Sequence, residues 1–331
     1  MLRNFEVNFE GLESLVDFQV SQGVNGILAA GTTGESPTLP WEEHNLVIEK
    51  VHEYNAGKLL TIAGTGSNCT RESYKSTKHA YDLGIKAVLL VDPYYNGPSS
   101  LEIRLEYVAP IAQRFPDVQM IPYIIPGRTG TQLLPQDLAI LHSQYSNVRA
   151  VKEATGDLEN MRLTRKLCGE NFDILSGDDD KTVSMMTDSG IKASGVISVA
   201  SNIAPAAVRK MTTLILEGKL GEAGKLSEAL KPLFQIVTVK TVMETQYGEV
   251  SVKARNPLPY KSLMNILGMP AGPPRQPLGK MTKKGLRILL DATRKVYENN
   301  PRILKPIEDF FNVDLSQRLY NEKFWKGLAY D

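Results

Sequence analysis

Seven short apolar runs recur along the chain at a near-constant interval, and that beat constrains the fold more than any other feature. The runs are Gly26–Ala30, Leu59–Ala63, Lys86–Val91, Val118–Ile125, Val148–Val151, Phe172–Leu175 and Ser194–Val199. They are rich in Val, Ile and Leu, the pattern of strands buried on both faces of a parallel sheet. Their ends fall near Gly31, Gly64, Pro93, Pro126, Ala154, Asp178 and Ser201, at intervals of 33, 29, 33, 28, 24 and 23 residues. Amphipathic stretches fill the gaps. Glu42 to Tyr54 carries Leu46, Val47, Ile48, Val51 and Tyr54 near helical spacing, and Pro40 sits where a first helical turn tolerates it. Leu101 to Phe115 and Leu134 to Tyr145 behave alike. One strand plus one crossover helix takes about 25–35 residues. Seven such units in series favour a (β/α)8 barrel over a doubly wound sheet. No G-x-G-x-x-G turn follows the first run, which weighs further against the doubly wound sheet.

The count is one strand short. A helix, Phe9 to Gln22, precedes the first run, and Met1 to Val7 is too short and too polar for a buried strand. The expectation is therefore an α/β TIM (β/α)8 barrel whose first strand is missing from the chain. After Ser201 one more helix is expected, Pro205 to Glu217. The remaining ~110 residues read as helical, punctuated by Pro257, Pro259, Pro270, Pro273, Pro274 and Pro277, beyond the ~250 residues a barrel takes. This divides the chain into a catalytic barrel, 1–221, and a C-terminal helical appendage and tail, 222–331. The tail's aromatics, Phe310, Phe311, Tyr320, Phe324, Trp325 and Tyr330, are expected to pack on the body or on a neighbour.

Composition excludes several function classes. Lys and Arg number 38 and Asp and Glu 37, so a net charge of +1 gives no reason to expect nucleic acid or an anionic membrane as partner. No apolar run reaches the ~18 residues of a membrane span, and the charged start has no secretory character. Two cysteines are too few for a disulfide scaffold, and four dispersed histidines show no metal-ligand spacing. A reduced, cytoplasmic, globular protein without a metal site is expected.

In a barrel the chemistry lies at the C-terminal ends of the strands. Those positions hold Gly31-Thr32-Thr33-Gly34-Glu35-Ser36, Asp92-Pro93-Tyr94-Tyr95-Asn96, Tyr123 through Gly130, Lys152-Glu153-Ala154, Ser176-Gly177-Asp178-Asp179 and Gly195-Val196-Ile197-Ser198. Lys152 shares the parity of Val148 and Ala150, so it points with those apolar residues into the barrel. Desolvation there lowers an ammonium's pKa, and a neutral amine attacks carbonyl carbon to form a Schiff base. A lone lysine at a strand end more often reaches solvent; the company of Lys152 changes that balance. Tyr123 ends the preceding strand and can shuttle protons during carbinolamine formation. Thr32 and Tyr95 can extend such a relay. Arg128 presents a planar fork suited to a carboxylate. The Gly31–Gly34 turn offers backbone N–H groups and hydroxyls to a small anion.

Together these residues resemble the dihydrodipicolinate synthase / N-acetylneuraminate lyase family of class I aldolases, from about Val7 to Lys280. The segments Asn256-Pro257-Leu258-Pro259 and Gly272 to Leu278 resemble that family's C-terminal region. The Gly31–Ser36 and Arg128–Gly130 motifs look most like its dihydrodipicolinate synthase branch. The resemblance implies that Lys152 forms a Schiff base with pyruvate. Tyr123 relays protons with Thr32 and with Tyr95, which in the family reaches across a dimer interface. Thr33 and the Gly31 turn hold the pyruvate carboxylate, Arg128 takes the carboxylate of aspartate semialdehyde, and Ile197 lines the pocket. It implies condensation for lysine biosynthesis with no metal or organic cofactor, by a homo-oligomer, either dimer or tetramer. It also implies a lysine feedback site, for which Ser36, Trp41, His44, Asn68, Glu72 and Tyr94 are the candidates. Ile124 departs from the family's usual Asn after the tyrosine. Two other readings compete. One is a Schiff-base aldolase or dehydratase acting on sialic acid or a 2-keto-3-deoxy sugar acid, against which Arg128 argues. The other is a non-catalytic relative, suggested by the missing strand.

Overall fold

In the computed structural model, which describes residues 1–330, all seven apolar runs are strands. They are β1 Gly26–Ala29, β2 Leu60–Gly64, β3 Ala87–Val91, β4 Gln119–Ile124, β5 Ala150–Glu153, β6 Asp173–Ser176 and β7 Gly195–Val196. They pair in parallel and in strict sequence order. A doubly wound sheet reverses its order midway; a barrel wall does not. Residues 1–8 form a turn and extended chain, and among the described residues no eighth strand joins this sheet, so β1 and β7 are its outer strands.

The helices form where their ends can be satisfied. The helix Trp41–Asn55 buries Val47, Ile48 and Val51 and ends at the left-handed Ala56. The helix Leu158–Cys168 is capped by the Asp157 carboxylate, which accepts from the N–H groups of Glu159 and Asn160. The stretch expected as one helix from Leu101 to Phe115 is divided. A widened π-helical segment, Ile103–Val108, leads into a short helix, Ala109–Arg114. Pro110 is the reason: it has no N–H to give the carbonyl of Glu106, and that carbonyl accepts the Thr70 hydroxyl instead at 2.9 Å.

The chain falls into two compact units. One comprises Asn25–Gly31 and Leu39–Ser198 and contains the whole β1–β7 sheet. One face of that sheet gathers Ile62, Ala87, Leu89, Ile121, Tyr123, Ala150 and Ala154 into an apolar cluster. The other unit comprises Met1–Val24, Thr32–Thr38 and the residues from Val199 onward. Its segment after Glu217, expected to be helical throughout, contains an antiparallel hairpin, β8 Thr238–Thr245 and β9 Gly248–Arg255. The reason is local: the β-branched residues Thr238, Val239, Thr241, Val242 and Thr245 favour an extended chain, and Gln246-Tyr247 makes the turn ahead of Gly248. Helices Leu258–Leu267 and Lys283–Asn299 follow. The tail packs within the same unit: Phe18 lies 5.3 Å from Phe310 and 5.2 Å from Phe311, ring centre to ring centre. The Arg318 guanidinium donates to the carbonyls of Ile266 and Asn265 at 2.7 and 3.0 Å. Among the described residues no helix is long and apolar enough to cross a membrane.

Phe18 is fully buried and joins the first helix to the tail. Phe18→Ala is expected to lower the unfolding free energy by about 3–5 kcal/mol in urea titration. Tyr247→Ala, at the exposed hairpin tip, is expected to change it by less than about 0.5 kcal/mol.

Candidate active site

Lys152 is the third residue of β5 and stands in register between Tyr123 of β4 and Leu175 of β6. Strand alternation turns it to the face that carries Ala150 and Ala154. Only 7% of the residue is exposed. Its Nζ lies 4.2 Å from the centre of the Tyr123 ring. Burial pushes the amine down from the usual lysine value to about 8. The carboxylates of Asp179 and Asp178 oppose that fall, and the Arg128 charge adds to it. A pKa near 8 leaves roughly one amine in ten neutral at pH 7, a fraction that can attack a carbonyl.

Arg128 sits in the short helix Pro126–Thr129, which the left-handed Gly130 ends. Its head is exposed and close enough to act on the Lys152 charge. Ile197 donates its N–H to the Ser176 carbonyl at 2.9 Å, and its side chain packs against the apolar cluster that includes Tyr123. So the sheet unit brings together Lys152, Tyr123, Arg128 and Ile197. It does not bring Tyr95 to them within one chain: that residue is 94% exposed, with a left-handed backbone at φ 79°. A bulky side chain in that conformation is strained. Gly31 follows β1, where an added Cβ would meet Leu28 Cδ2 at 2.8 Å. Thr32 and Thr33 belong to the other unit. There the Thr33 hydroxyl oxygen accepts from the Asn256 amide at 2.9 Å.

Four contributors stood among the strand-end positions read from the sequence but were given no role there. A Cβ on Gly177 would stand 3.2 Å from Lys152 Cε and 2.8 Å from the Ala154 methyl, so this glycine leaves the lysine its room. Its position directly after a strand end was the available signal. Asp179, buried, tunes the lysine through charge. Asp92 and Glu153 form a second, buried acidic layer. Glu153, next in chain to Lys152, faces the opposite side of the sheet. Burial lifts it to about 7, against the hydrogen bonds it accepts from Thr155. Asp92 accepts from the Leu133 N–H at 2.9 Å. Burial lifts it to about 8, with the Glu153 charge adding to the rise. Ile124, where an asparagine was expected, pairs with Glu153 in this row.

The candidate feedback residues fall into groups. Trp41 and His44 pack with ring centres 4.7 Å apart and planes tilted by 55°, and burial pushes His44 down to about 4. Asn68 Oδ1 accepts the Tyr94 N–H at 2.7 Å. Glu72 accepts the Ser67 hydroxyl at 2.5 Å. Burial and the Glu72 charge both raise the Tyr94 phenol. Ser36 lies in the other unit. Among the described residues no group of three or more His, Cys, Asp and Glu is placed to hold a metal.

A desolvated lysine at the C-terminal end of a barrel-order strand, stacked on a tyrosine with an arginine nearby, is equipped for amine–carbonyl condensation. Amine–carbonyl condensation of this kind is chemistry that a lyase can use. The sequence profile of the Dihydrodipicolinate synthetase family matches residues 1–293. The 4-hydroxy-tetrahydrodipicolinate synthase of Methanococcus maripaludis is 37% identical over 300 residues, covering 91% of this chain and 95% of that one. A dihydrodipicolinate synthase of Cyanidioschyzon merolae, solved with lysine bound, superimposes with a TM-score of 0.80 at 33% identity. The match covers 89% of this chain and 94% of that one. The chloride-inhibited enzyme of Acinetobacter baumannii, complexed with pyruvate, gives a TM-score of 0.80 at 32% identity, over 89% and 95% of the two chains. The chain belongs to the dihydrodipicolinate synthetase family.

Removing the Asp179 charge takes away support for the ammonium form of Lys152. In Asp179→Asn, half-maximal labelling of Lys152 by an amine-directed acylating reagent is expected at lower pH than about 8, the value set in the wild type. The expected displacement is up to about one pH unit. Labelling against pH with peptide mapping measures it.

Proposed function

We propose that this chain is a 4-hydroxy-tetrahydrodipicolinate synthase, condensing pyruvate with L-aspartate 4-semialdehyde on the route to lysine. The observation that carries the reading is the burial of Lys152 against the Tyr123 ring with its amine pushed down to about 8. The neutral amine attacks C2 of pyruvate, and the resulting carbinolamine loses its hydroxyl as water to leave the imine. Tyr123 carries the protons for both steps, relayed through Thr32 and through Tyr95 of a second subunit. Loss of a C3 proton then gives the enamine, whose carbon attacks the aldehyde of the semialdehyde. The substrate's own amine displaces Lys152 from the imine carbon, which closes the ring and frees the enzyme.

In this reading Thr33 and the Gly31 turn bind the pyruvate carboxylate, Arg128 binds the carboxylate of the semialdehyde, and Ile197 lines the pocket. The electrophile is activated by the lysine itself, so the reaction calls for no metal and no organic cofactor. The strained, exposed Tyr95 supports a homo-oligomer, dimer or tetramer, in which that side chain docks on a partner. A cytoplasmic location is part of the same reading. Asn68, Glu72 and Tyr94, with Ser36, Trp41 and His44, are the proposed lysine site; the Cyanidioschyzon merolae relative solved with lysine bound supports it.

Borohydride reduction in the presence of pyruvate is expected to fix a pyruvyl adduct on Lys152, found by intact mass and peptide mapping, and none in Lys152→Ala. Adduct formation with cleavage of N-acetylneuraminate, and no turnover of aspartate semialdehyde, would move the reading to the sugar-acid lyases. No adduct in a folded protein would end the enzyme reading. Arg128→Ala is expected to raise KM for the semialdehyde about tenfold or more, the loss of a charge-assisted carboxylate contact, with a smaller effect on pyruvate. L-Lysine is expected to inhibit the wild type, and Glu72→Gln to lose that inhibition while still turning over.

A further inference from the structure

The turn proposed to hold the pyruvate carboxylate is clamped from the far end of the chain. Asn256 donates its side-chain amide to Thr33 Oγ1 at 2.9 Å across 223 residues of sequence. A hydroxyl whose oxygen accepts one bond has its own proton left to give. The amide therefore fixes the polarity of Thr33 as a donor, the sense a carboxylate ligand needs.

Two residues further on, Glu35 is held by a second clamp. It has a left-handed backbone, φ 61°, and its carboxylate is buried. One oxygen takes the Lys261 ammonium and the other takes the Arg275 backbone N–H at 2.6 Å. Lys261 also donates to the Pro273 carbonyl at 3.2 Å, and the Arg275 guanidinium reaches the carbonyls of Phe5 and Thr38. The Glu35 and Lys261 side chains are 2% and 10% exposed. A buried ion pair adds little net stability, because desolvation offsets most of the attraction. What it does well is hold one geometry, and here it holds a strained residue one step past Gly34. Asn256 and Arg275 belong to the two C-terminal motifs to which no chemistry had been assigned, and Lys261 lies between them.

We propose that Asn256, with Lys261 and Arg275, are positioning residues of the reaction: they fix the Thr32–Glu35 turn so that the Thr33 hydroxyl donates to the substrate carboxylate. The proposal rests on the pyruvate reading of Thr33 given above.

The test is a double-mutant cycle in the full chain, read by steady-state kinetics and borohydride trapping, with thermal unfolding run on every variant. Asn256→Asp keeps the size but accepts the Thr33 proton instead of leaving it free. It is expected to raise KM for pyruvate about tenfold while kcat for bound substrate changes less. In a Thr33→Val background, where no hydroxyl remains to orient, the same substitution is expected to add almost nothing. Asn256→Ser and the neutral pair Glu35→Gln with Lys261→Met serve if the first variant unfolds. Each is expected to raise KM for pyruvate in a protein that still melts cooperatively. If the wild type traps pyruvate and Asn256→Asp and Asn256→Ser leave KM unchanged, the positioning role is overturned and the pyruvate reading stands. An Asn256 penalty that persists undiminished beside Thr33→Val also overturns it, since the effect then does not pass through that hydroxyl. If the wild type traps no pyruvate, the pyruvate reading fails and the positioning role falls with it.

Discussion

The site depends on the cost of keeping a charged amine out of water at the end of β5. An ammonium loses its hydration when the strand turns it to the apolar face, and that loss pulls the Lys152 pKa down. Nearby acids set how far it falls. Asp178 and Asp179 pull the value back, so the amine titrates near neutral pH and stops short of permanent neutrality. The sheet register makes this possible, since pairing Tyr123 with Lys152 places an aromatic face beside the Nζ without a loop having to supply it. A shift of one residue in β5 would point Glu153 to that face and Lys152 away from it.

Most of this was legible in the sequence because it is written locally. The strands of a parallel sheet are continuous apolar runs, and all seven emerge within a few residues of where the runs predict them. The direction of Lys152 follows from parity with Ala150. The hairpin Thr238–Arg255 was missed although its signal was present, because Pro-rich flanks and the expectation of a helical appendage outweighed a run of β-branched residues. The break at Ile103–Val108 had its cause in plain view at Pro110. The hidden features are of another kind. Glu35 and Lys261 lie 226 residues apart, and the Asn256–Thr33 bond spans 223; neither leaves a local trace. Asp92 and Glu153 carry ordinary letters, and only burial makes their carboxyls unusual.

The candidate site also distributes work between residues that react and residues that hold. In the sheet unit, Gly177 makes space and Asp179 supplies charge. In the other unit, Asn256 orients a hydroxyl, and a buried ion pair fixes a left-handed residue beside it. In the proposed reading the C-terminal segment contributes to function through the Thr32–Glu35 turn, beyond its own packing. Tyr95 is the one proposed participant whose task a single chain leaves incomplete, and its strained, exposed backbone position is what a contact across subunits would employ.

The central claim is that the Lys152 amine is the group that bonds to substrate. The most direct measurement is a crystal structure of the protein soaked with pyruvate. The account predicts continuous electron density from Lys152 Nζ to C2 of pyruvate. Well-ordered pyruvate lying free in the site, or joined to any other lysine, would contradict it.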